Sequence, residues 1–403
     1  MSSYVLPLAD DSFGEKEKLA MHSVIESGNY TMGKKVEEFE ERFSDWLGSK
    51  YSVMVNSGSS ANLLLVYSQI ISSYKKNLFT PGDEILVPAL LWPTTLWPLL
   101  QFGLKPVLVD IDDQTMGLSI EDASRKITEK TKGVFLIHVL GYACEMKKFQ
   151  KFCKKNNLIL MEDCCESFGA FYENKSVGRF GVGGTFSHFF SHHLTTMEGG
   201  SIITDDLKLV NDLRSMRAHG WTRNRSDFLE ISKKYPNLDP RFLFIMPGFN
   251  VRPMEIQAAV GLVQLERINE LLNYRVQFAK FVIDELISIK WITVVGADQI
   301  NLSSNTAERR HSWMNIPLII NNDSPQNVNE IKDIFENYGI ETRPIITGNF
   351  MSQPAANFIS EQGQFPVAQN ISDQGFMIGC HAMDISGVLK QTFEKLVKKL
   401  KSL

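Results

Sequence analysis

The chain has 403 residues, and 42 Lys and Arg against 46 Asp and Glu give it a formal net charge of −4. At roughly 100–200 residues per domain, this length predicts two or three structural units. A content of 43% hydrophobic and 22% charged residues excludes a disordered or fibrous protein. The near-neutral charge excludes the broad basic surface of a nucleic-acid-binding protein. We therefore expect a soluble globular protein.

The N-terminal segment MSSYVLPLADDSFGEKEK lacks the basic region, apolar stretch and cleavage site of a secretory signal, so we expect a cytoplasmic protein. Residues 85–104 carry no charge over a length that could span a membrane. Pro88, Pro93 and Pro98 interrupt this stretch, and each would remove a helical hydrogen bond. The segment therefore predicts a short buried strand, a loop and a short helix, with no membrane partner.

Short apolar segments alternate with helical patterns through the first half of the chain. We predict strands over residues 51–55, 84–89, 105–111, 133–139, 158–163, 184–189 and 200–205. Strands that alternate with helices are typical of an α/β fold, with a mostly parallel sheet and helices on both faces.

The pattern changes after Pro247. Residues 251–287 predict one long helix, of the kind that links two domains. Beyond it we predict a smaller α+β unit, with strands over 291–295, 312–320 and 340–345 and helices over 327–339 and 387–403. We accordingly expect a large domain over residues 1–260, and the linking helix with a smaller C-terminal domain over residues 261–403.

The segment NSGSSAN, residues 56–62, lies between a predicted strand and a predicted helix. Small hydroxyl residues and glycine at a helix N-terminus leave N–H groups and the positive end of the helix dipole free to bind an anion such as phosphate. A plain N-cap with a tight turn fits the same residues.

Two further segments carry candidate chemistry. Residues 158–170 form a strand that ends in Glu162 and Asp163, with Glu166 three residues on, and ligands collect at the carboxyl ends of parallel strands. A structural capping Asp is the alternative. Three of the eight histidines fall between residues 188 and 193, but without H-E-x-x-H spacing or a nearby cysteine, so we predict no metal site.

Seven ordered motifs together resemble the sugar aminotransferase/dehydratase family, which consists of pyridoxal-phosphate enzymes of the aspartate aminotransferase fold (fold type I). The motifs are NSGSSAN, VPALLW (87–92), VDID (109–112), EDCCESFGA (162–170), SHFFSHHLTTMEGG (187–200), RAHG (217–220) and GFNVRPMEIQAAVGLVQL (248–265). The resemblance extends over essentially the whole chain.

This resemblance implies roles for residues at the matching positions. Ser57, Gly58, Ser59 and Ser187 would hold the cofactor phosphate, and Asn250 would reach it from a partner subunit, which implies a homodimer at minimum. Trp92 would stack on the pyridine ring, and Asp163 would pair with the pyridine nitrogen. A carboxylate there keeps the nitrogen protonated and makes the ring an electron sink.

One position departs from the aminotransferases. In those enzymes the fifth residue after the phosphate-binding serine is the Schiff-base lysine, whereas this chain has His192 and no lysine between Lys175 and Lys208. An imidazole can move protons near neutral pH but cannot hold the cofactor covalently. We therefore expect pyridoxal phosphate and pyridoxamine phosphate to be bound non-covalently, with His192 as the catalytic residue.

A histidine in this slot resembles the 3-dehydratase branch of the family, as do Glu166, which we group with the cofactor-binding residues, and the segment TRPIITGNF (342–350). The resemblance implies a nucleotide-linked 4-keto-6-deoxyhexose as substrate, with GDP-4-keto-6-deoxymannose the expected one, and L-glutamate as the amine donor. The product would be a 4-keto-3,6-dideoxy sugar on the way to GDP-colitose for surface polysaccharide. His219 and Arg343 are candidate substrate-binding residues, with loop packing and strand capping as their alternatives.

The spacing of the five cysteines indicates which subgroup of the family the chain resembles. Relatives that act on a CDP-linked sugar carry a C-x-C cluster for an iron–sulfur centre, and this chain has no such spacing, so we predict no cluster. Two other functions stay open at this point: an aminotransferase that uses a lysine from elsewhere, and a non-catalytic regulator that kept the fold.

Overall fold

The large sheet of the molecule has seven strands. A computed structural model describes residues 4–9, 12–75, 78–300, 310–359, 363–381, 385 and 387–403. The strands of the large sheet are β1 (Tyr51–Val55), β2 (Glu84–Pro88), β3 (Lys105–Val109), β4 (Thr131–Ile137), β5 (Ile159–Asp163), β8 (Gly184–Ser187) and β9 (Gly200–Thr204), and a small hairpin consists of β6 (Phe171–Tyr172) and β7 (Lys175–Ser176). The strand order is β1-β9-β8-β5-β4-β2-β3, and only the pairs that β9 makes are antiparallel. The seven predicted strands and the mostly parallel sheet are confirmed.

Helices cover both faces of this sheet. They are α1 (Glu15–Ser27), α2 (Lys34–Leu47), α3 (Gly58–Ile70), α4 (Trp97–Gln101), α5 (Ile120–Lys126), α6 (Met146–Asn156), α7 (Leu207–Arg217) and α8 (Phe228–Lys234). Side chains of a strand point alternately to the two faces: Val53 and Val55 pack into one apolar core, and Met54 packs into the other. The uncharged stretch folds as predicted, because β2 is followed by a loop, a short 3-10 turn and α4.

The C-terminal part is a smaller α+β unit. It contains α9 (Glu255–Leu286), β10 (Ile292–Val294), β11 (Asn315–Ile320), α10 (Val328–Asn337), β12 (Thr342–Arg343), α11 (Pro366–Gln374), β13 (Gly375–Gly379) and α12 (Val388–Leu400). Its four strands pair antiparallel in the order β10-β11-β13-β12. The sequence did not predict β13, and the strand expected over residues 340–345 forms only at Thr342–Arg343.

The long helix α9 joins the two units. It begins four residues later than predicted: Pro253 disfavours a helical conformation in Arg252, and Met254 is the extended N-cap, with its N–H donating to Gln257 Oε1 at 2.8 Å. Between Ala258 and Leu272 its apolar side chains pack into a core of the large unit, and from Phe278 to Leu286 they pack into that of the small one. Within the described residues, no helix has the length and apolar character needed to cross a membrane.

Backbone hydrogen bonds join the two units beside the carboxyl edge of the large sheet. The N–H of Ser312 donates to the carbonyl of Gly141 at 2.8 Å, and the N–H of Met314 donates to that of Leu140 at 3.0 Å. Arg275 of α9 donates to the carbonyl of Met314 at 2.9 Å. The start of β11 is therefore fixed against the loop that follows β4.

Candidate active site

A cavity of about 460 Å³ lies between the carboxyl edge of the large sheet and the small unit. Nine of the residues that the sequence singled out line it: Ser57, Gly58, Ser59, Trp92, Asp163, Glu166, Ser187, His192 and Arg343. Eight of them meet there because β1, β2, β5 and β8 are mutually parallel, so the segments that follow these strands emerge at one edge, whereas Arg343 reaches the cavity from β12 of the small unit. Asn250 and His219 are not among the lining residues.

Asp163, at the end of β5, is held by three hydrogen bonds. Its Oδ2 accepts from Asn62 Nδ2 and from Thr95 Oγ1, both at 2.7 Å, and its Oδ1 accepts from the N–H of Cys165 at 3.0 Å. The hydroxyl of Thr185 donates to Asn62 Oδ1 at 2.6 Å, which fixes the orientation of that amide. The side chain is buried, and these donors fix its orientation.

The N-terminus of α3 forms an anion cradle. Ser57 is the N-cap, and its hydroxyl oxygen accepts from the N–H of Ser60 at 3.1 Å. A Cβ at Gly58 would lie 2.6 Å from Ser187 Cβ and 3.0 Å from Cys165 Sγ, so only glycine permits this close approach of α3 to β8. The first N–H groups of a helix have no intrahelical acceptor, so those of Gly58 and Ser59 suit a phosphate. Trp92 is 58% exposed and lines the same cavity.

His192 is oriented by a carbonyl. Its Nδ1 lies 2.7 Å from the carbonyl oxygen of Cys165, so Nδ1 carries the proton and donates, and the lone pair is on Nε2. Removal from water lowers the pKa of His192 to about 4, although the bond to Cys165 opposes the shift. The imidazole is neutral at physiological pH, with Nε2 available as a base.

Glu166 faces the cavity beside Asp163. Its Oε2 accepts from the N–H of Leu140 at 3.0 Å, and Leu140 adopts a left-handed conformation with φ of 47°. Burial, with a smaller contribution from the charge of Asp163, raises the pKa of Glu166 to about 7, and the hydrogen bond from Leu140 opposes this. At neutral pH a large fraction of this carboxyl group therefore carries a proton.

Asn250 and His219 lie together on an exposed surface of the chain. The N–H of His219 donates to the carbonyl of Phe249 at 2.8 Å, and Ala218 and Asn250 form an isolated antiparallel bridge. Neighbouring aromatic side chains are also exposed, Phe242 to 62% and Phe244 to 50%. The single chain thus leaves these two predicted residues outside the cavity.

The clustered histidines do not converge on a metal. His188 Nε2 lies 2.8 Å from Ser201 Oγ, whereas His193 Nε2 lies 3.1 Å from the carbonyl oxygen of Ser312. The two rings therefore have different hydrogen-bond partners. Among the described residues, only His138, Glu162 and Cys164 have donor atoms at metal-ligand spacing.

Hydrogen bonds within the protein already occupy the ring of His138 and the carboxylate of Glu162. The Nδ1 of His138 accepts from the N–H of Cys144 at 3.1 Å, so its Nε2 donates to Glu162 Oε2 at 3.1 Å. Three backbone N–H groups, of Gly178, Phe180 and Gly181, occupy the remaining acceptor sites of Glu162. With its lone pairs engaged, the group fits a structural role beneath Asp163.

Several groups in the site escaped the sequence analysis. Asn62 is the last residue of the NSGSSAN motif, but the sequence assigned it no function. No local pattern distinguished Thr95, the N–H of Leu140 or Asn315, the last of which lines the cavity. The only available signal was the position of Asn62 one turn into a helix that begins at a phosphate-binding motif.

Comparison with known proteins assigns the family. The chain matches the DegT/DnrJ/EryC1/StrS aminotransferase family over residues 11–395. It belongs to this family. The predicted resemblance and the pyridoxal-phosphate enzyme fold are thereby confirmed, and pyridoxal phosphate or pyridoxamine phosphate is the family's cofactor.

Individual relatives are more specific. The chain is 38% identical over 397 residues to GDP-4-keto-6-deoxy-D-mannose 3-dehydratase of Yersinia pseudotuberculosis. The match covers 97% of this chain and 98% of the relative. A crystal structure of GDP-4-keto-6-deoxymannose 3-dehydratase with bound GDP-perosamine matches with a TM-score of 0.89 and 34% identity, over 98% of this chain and 100% of that one. Another, with a trapped PLP-glutamate geminal diamine, has a TM-score of 0.86 and 34% identity, over 97% and 100% of the two chains.

Proposed function

We propose that the protein is a 3-dehydratase that removes the C3 hydroxyl of GDP-4-keto-6-deoxymannose, with L-glutamate as the amine donor. The observation that carries this proposal is His192, which stands in the slot of the Schiff-base lysine with Nδ1 tied to Cys165 and Nε2 left as a base. The likeness to 3-dehydratases over nearly the full chain supports it.

The cavity fits the cofactor. Gly58, Ser59 and Ser187 would bind its phosphate, Asp163 its pyridine nitrogen and Trp92 the face of its ring. When bound, pyridoxamine phosphate supplies an amine for the sugar ketone and a ring that accepts electrons. The lining residues that the structure describes include no lysine, which opposes an aminotransferase with a displaced lysine.

The chain's own residues would then handle protons. Asp163, whose carboxylate is held by three donors, would keep a proton on the pyridine nitrogen of the bound cofactor. His192 takes and returns a proton at Nε2, since its neutral form predominates above a pKa of about 4. Glu166, with a pKa near 7, supplies a neutral hydrogen-bond donor to the cavity.

The net reaction is balanced by glutamate. The sugar loses the oxygen of its C3 hydroxyl and keeps its C4 ketone, whereas glutamate becomes 2-oxoglutarate and its nitrogen leaves as ammonia. Glutamate is thus the reductant of the overall conversion, and the products are a 4-keto-3,6-dideoxy sugar, 2-oxoglutarate and ammonia.

We further propose a homodimer with shared active sites. Asn250 and His219 lie on an exposed face with Phe242 and Phe244, and a second copy seated there would bring these polar groups to its own cavity. An exposed aromatic cluster rimmed by polar groups is typical of a protein interface.

The proposal is tested by supplying the holoenzyme with L-glutamate and a panel of 4-keto-6-deoxy nucleotide sugars, and determining the product by mass spectrometry. We expect loss of the C3 oxygen with GDP-4-keto-6-deoxymannose. An aminated sugar that keeps its C3 hydroxyl would instead establish an aminotransferase, and cofactor binding without turnover of any sugar would establish a regulator.

A further inference from the structure

Strand β11 begins in the cavity wall that the small unit contributes. Its alternate side chains Ile316, Leu318 and Ile320 pack into the core of that unit. The side chains between them point to the opposite face, toward the large unit. Asn315 lies on that face at the first position of the strand and lines the cavity.

The environment of Asn315 is mainly apolar. On the neighbouring strand β13, Met377 points to the same face, because it pairs directly with Pro317 of β11. Met377 also lines the cavity, as do Met314, Pro344 and Ile346. The other polar lining residue from the small unit, Arg343, has a largely exposed side chain paired with Glu341 at 3.3 Å.

The amide of Asn315 lacks a protein partner among the described residues. The residue is only 6% exposed, and its side chain makes none of the hydrogen bonds found there, whereas its backbone is fixed by pairing with Gly379. The amide nitrogen and oxygen are not among the fully enclosed polar atoms that lack a partner, so they face the open cavity, where an apolar residue of similar shape would offer no hydrogen bond. An amide at such a position can form hydrogen bonds with a ligand that enters the cavity.

We propose that the side-chain amide of Asn315 binds the sugar ring of the nucleotide-linked substrate, an inference that rests on the proposed function. The cofactor groups, Asp163, Ser187 and the start of α3, all belong to the large unit, so the facing wall is left for the substrate. A neutral amide offers two donors and one acceptor, which suits hydroxyl groups. The carboxylates of glutamate would be better matched by the cation of Arg343.

The test compares Asn315→Leu, which keeps the shape and removes the hydrogen bonds, with Asn315→Ala, which relieves any strain that leucine introduces. Asn321→Ala is the matched control, because this asparagine follows the same strand and bonds to Thr293 and the carbonyl of Lys290 instead of facing the cavity. We expect about a tenfold rise in KM for the keto sugar in both Asn315 variants.

Two further measurements show whether the substitutions affect the binding of the sugar alone. The glutamate half-reaction, followed by the absorbance of the cofactor, and inhibition by GDP alone should both keep their wild-type constants. An unchanged KM for the sugar, an equal loss in the glutamate half-reaction, or a weakened inhibition by GDP would each overturn the proposal. Failure of the proposed function would be seen differently, as a wild-type enzyme that removes no C3 hydroxyl.

Discussion

The two walls of the cavity differ in how completely their polar groups are satisfied. On the wall formed by the large sheet, Asp163 has three protein donors, His192 is tied through Nδ1, and Glu166 accepts from a backbone N–H. On the facing wall, the apolar side chains of Met314, Pro344, Ile346 and Met377 surround Asn315, whose amide has no hydrogen bond among the described residues.

This difference separates two tasks. Groups that work on a permanent cofactor gain from being oriented before it binds, because no reorganisation is then needed during the reaction. Groups that receive a sugar, and in the other half-reaction an amino acid, have to remain available to a ligand that comes and goes. We therefore expect the first wall to carry the chemistry and the second to select the substrate.

Among the substitutions proposed for the two walls, His192→Ala should lower kcat the most. The variant loses the base at Nε2, and we expect kcat for dehydration to fall by about a thousandfold, within the usual range for a general base. Cofactor content, measured by absorbance after gel filtration, should stay near the wild-type value. His22→Ala on α1 is the control, and a His192→Ala enzyme with more than a tenth of wild-type turnover would contradict the role of the base.

Asp163→Asn comes next, because it keeps the shape of the side chain and removes the charge. The pyridine nitrogen then loses the partner that keeps it protonated, and we expect kcat to fall on the order of a hundredfold, as for other lost electrostatic stabilisers. Both half-reactions should slow together in stopped-flow absorbance measurements. A defect confined to the sugar half-reaction would show that this wall is not primarily a cofactor site.

Glu166→Gln tests the role of this carboxyl group through the pH dependence of kcat. The wild-type carboxyl is neutral below a pKa of about 7 and ionises above it, so its hydrogen-bond donor is lost as the pH rises. We expect wild-type kcat to decline above about pH 7, and the glutamine variant, which keeps a neutral donor, to lose that limb. A pH profile of kcat with the same alkaline limb in both enzymes would assign the titration to another group.

Thr95→Val should have the smallest effect. It removes one of the donors to Asp163 while Asn62 and Cys165 remain, so we expect a loss of stability of about 1 kcal/mol and a fall in kcat of several-fold. Thermal unfolding and steady-state rates measure the two effects. A loss as large as that of Asp163→Asn would show that Thr95 contacts the reacting groups directly.

The sequence was informative where a function depends on a local segment. Ser57 to Ser59 follow a predicted strand and Asp163 ends one, whereas Ser187 lies within the strand predicted over 184–189 and ends the observed β8; a parallel sheet gathers such ends. The seven strands were predictable for the same reason, since each is a short apolar segment between helical patterns.

The remainder depends on contacts distant in sequence. The strand β13 is a short segment between two glycines, and only its pairing with β11 and β12 makes it a strand. Thr95 lies 68 residues from Asp163, and no spacing in the chain relates them. Asn250 and His219 lie outside the cavity of their own chain, so their predicted roles stay predictions that require a second subunit.

The ratio of ammonia to 2-oxoglutarate released during turnover of the keto sugar distinguishes a dehydratase from an aminotransferase. If His192 at the lysine position makes the enzyme a dehydratase, ammonia appears in equal amount with 2-oxoglutarate and the sugar retains no nitrogen. Release of 2-oxoglutarate without ammonia, with the nitrogen found on the sugar, would show that the enzyme is an aminotransferase.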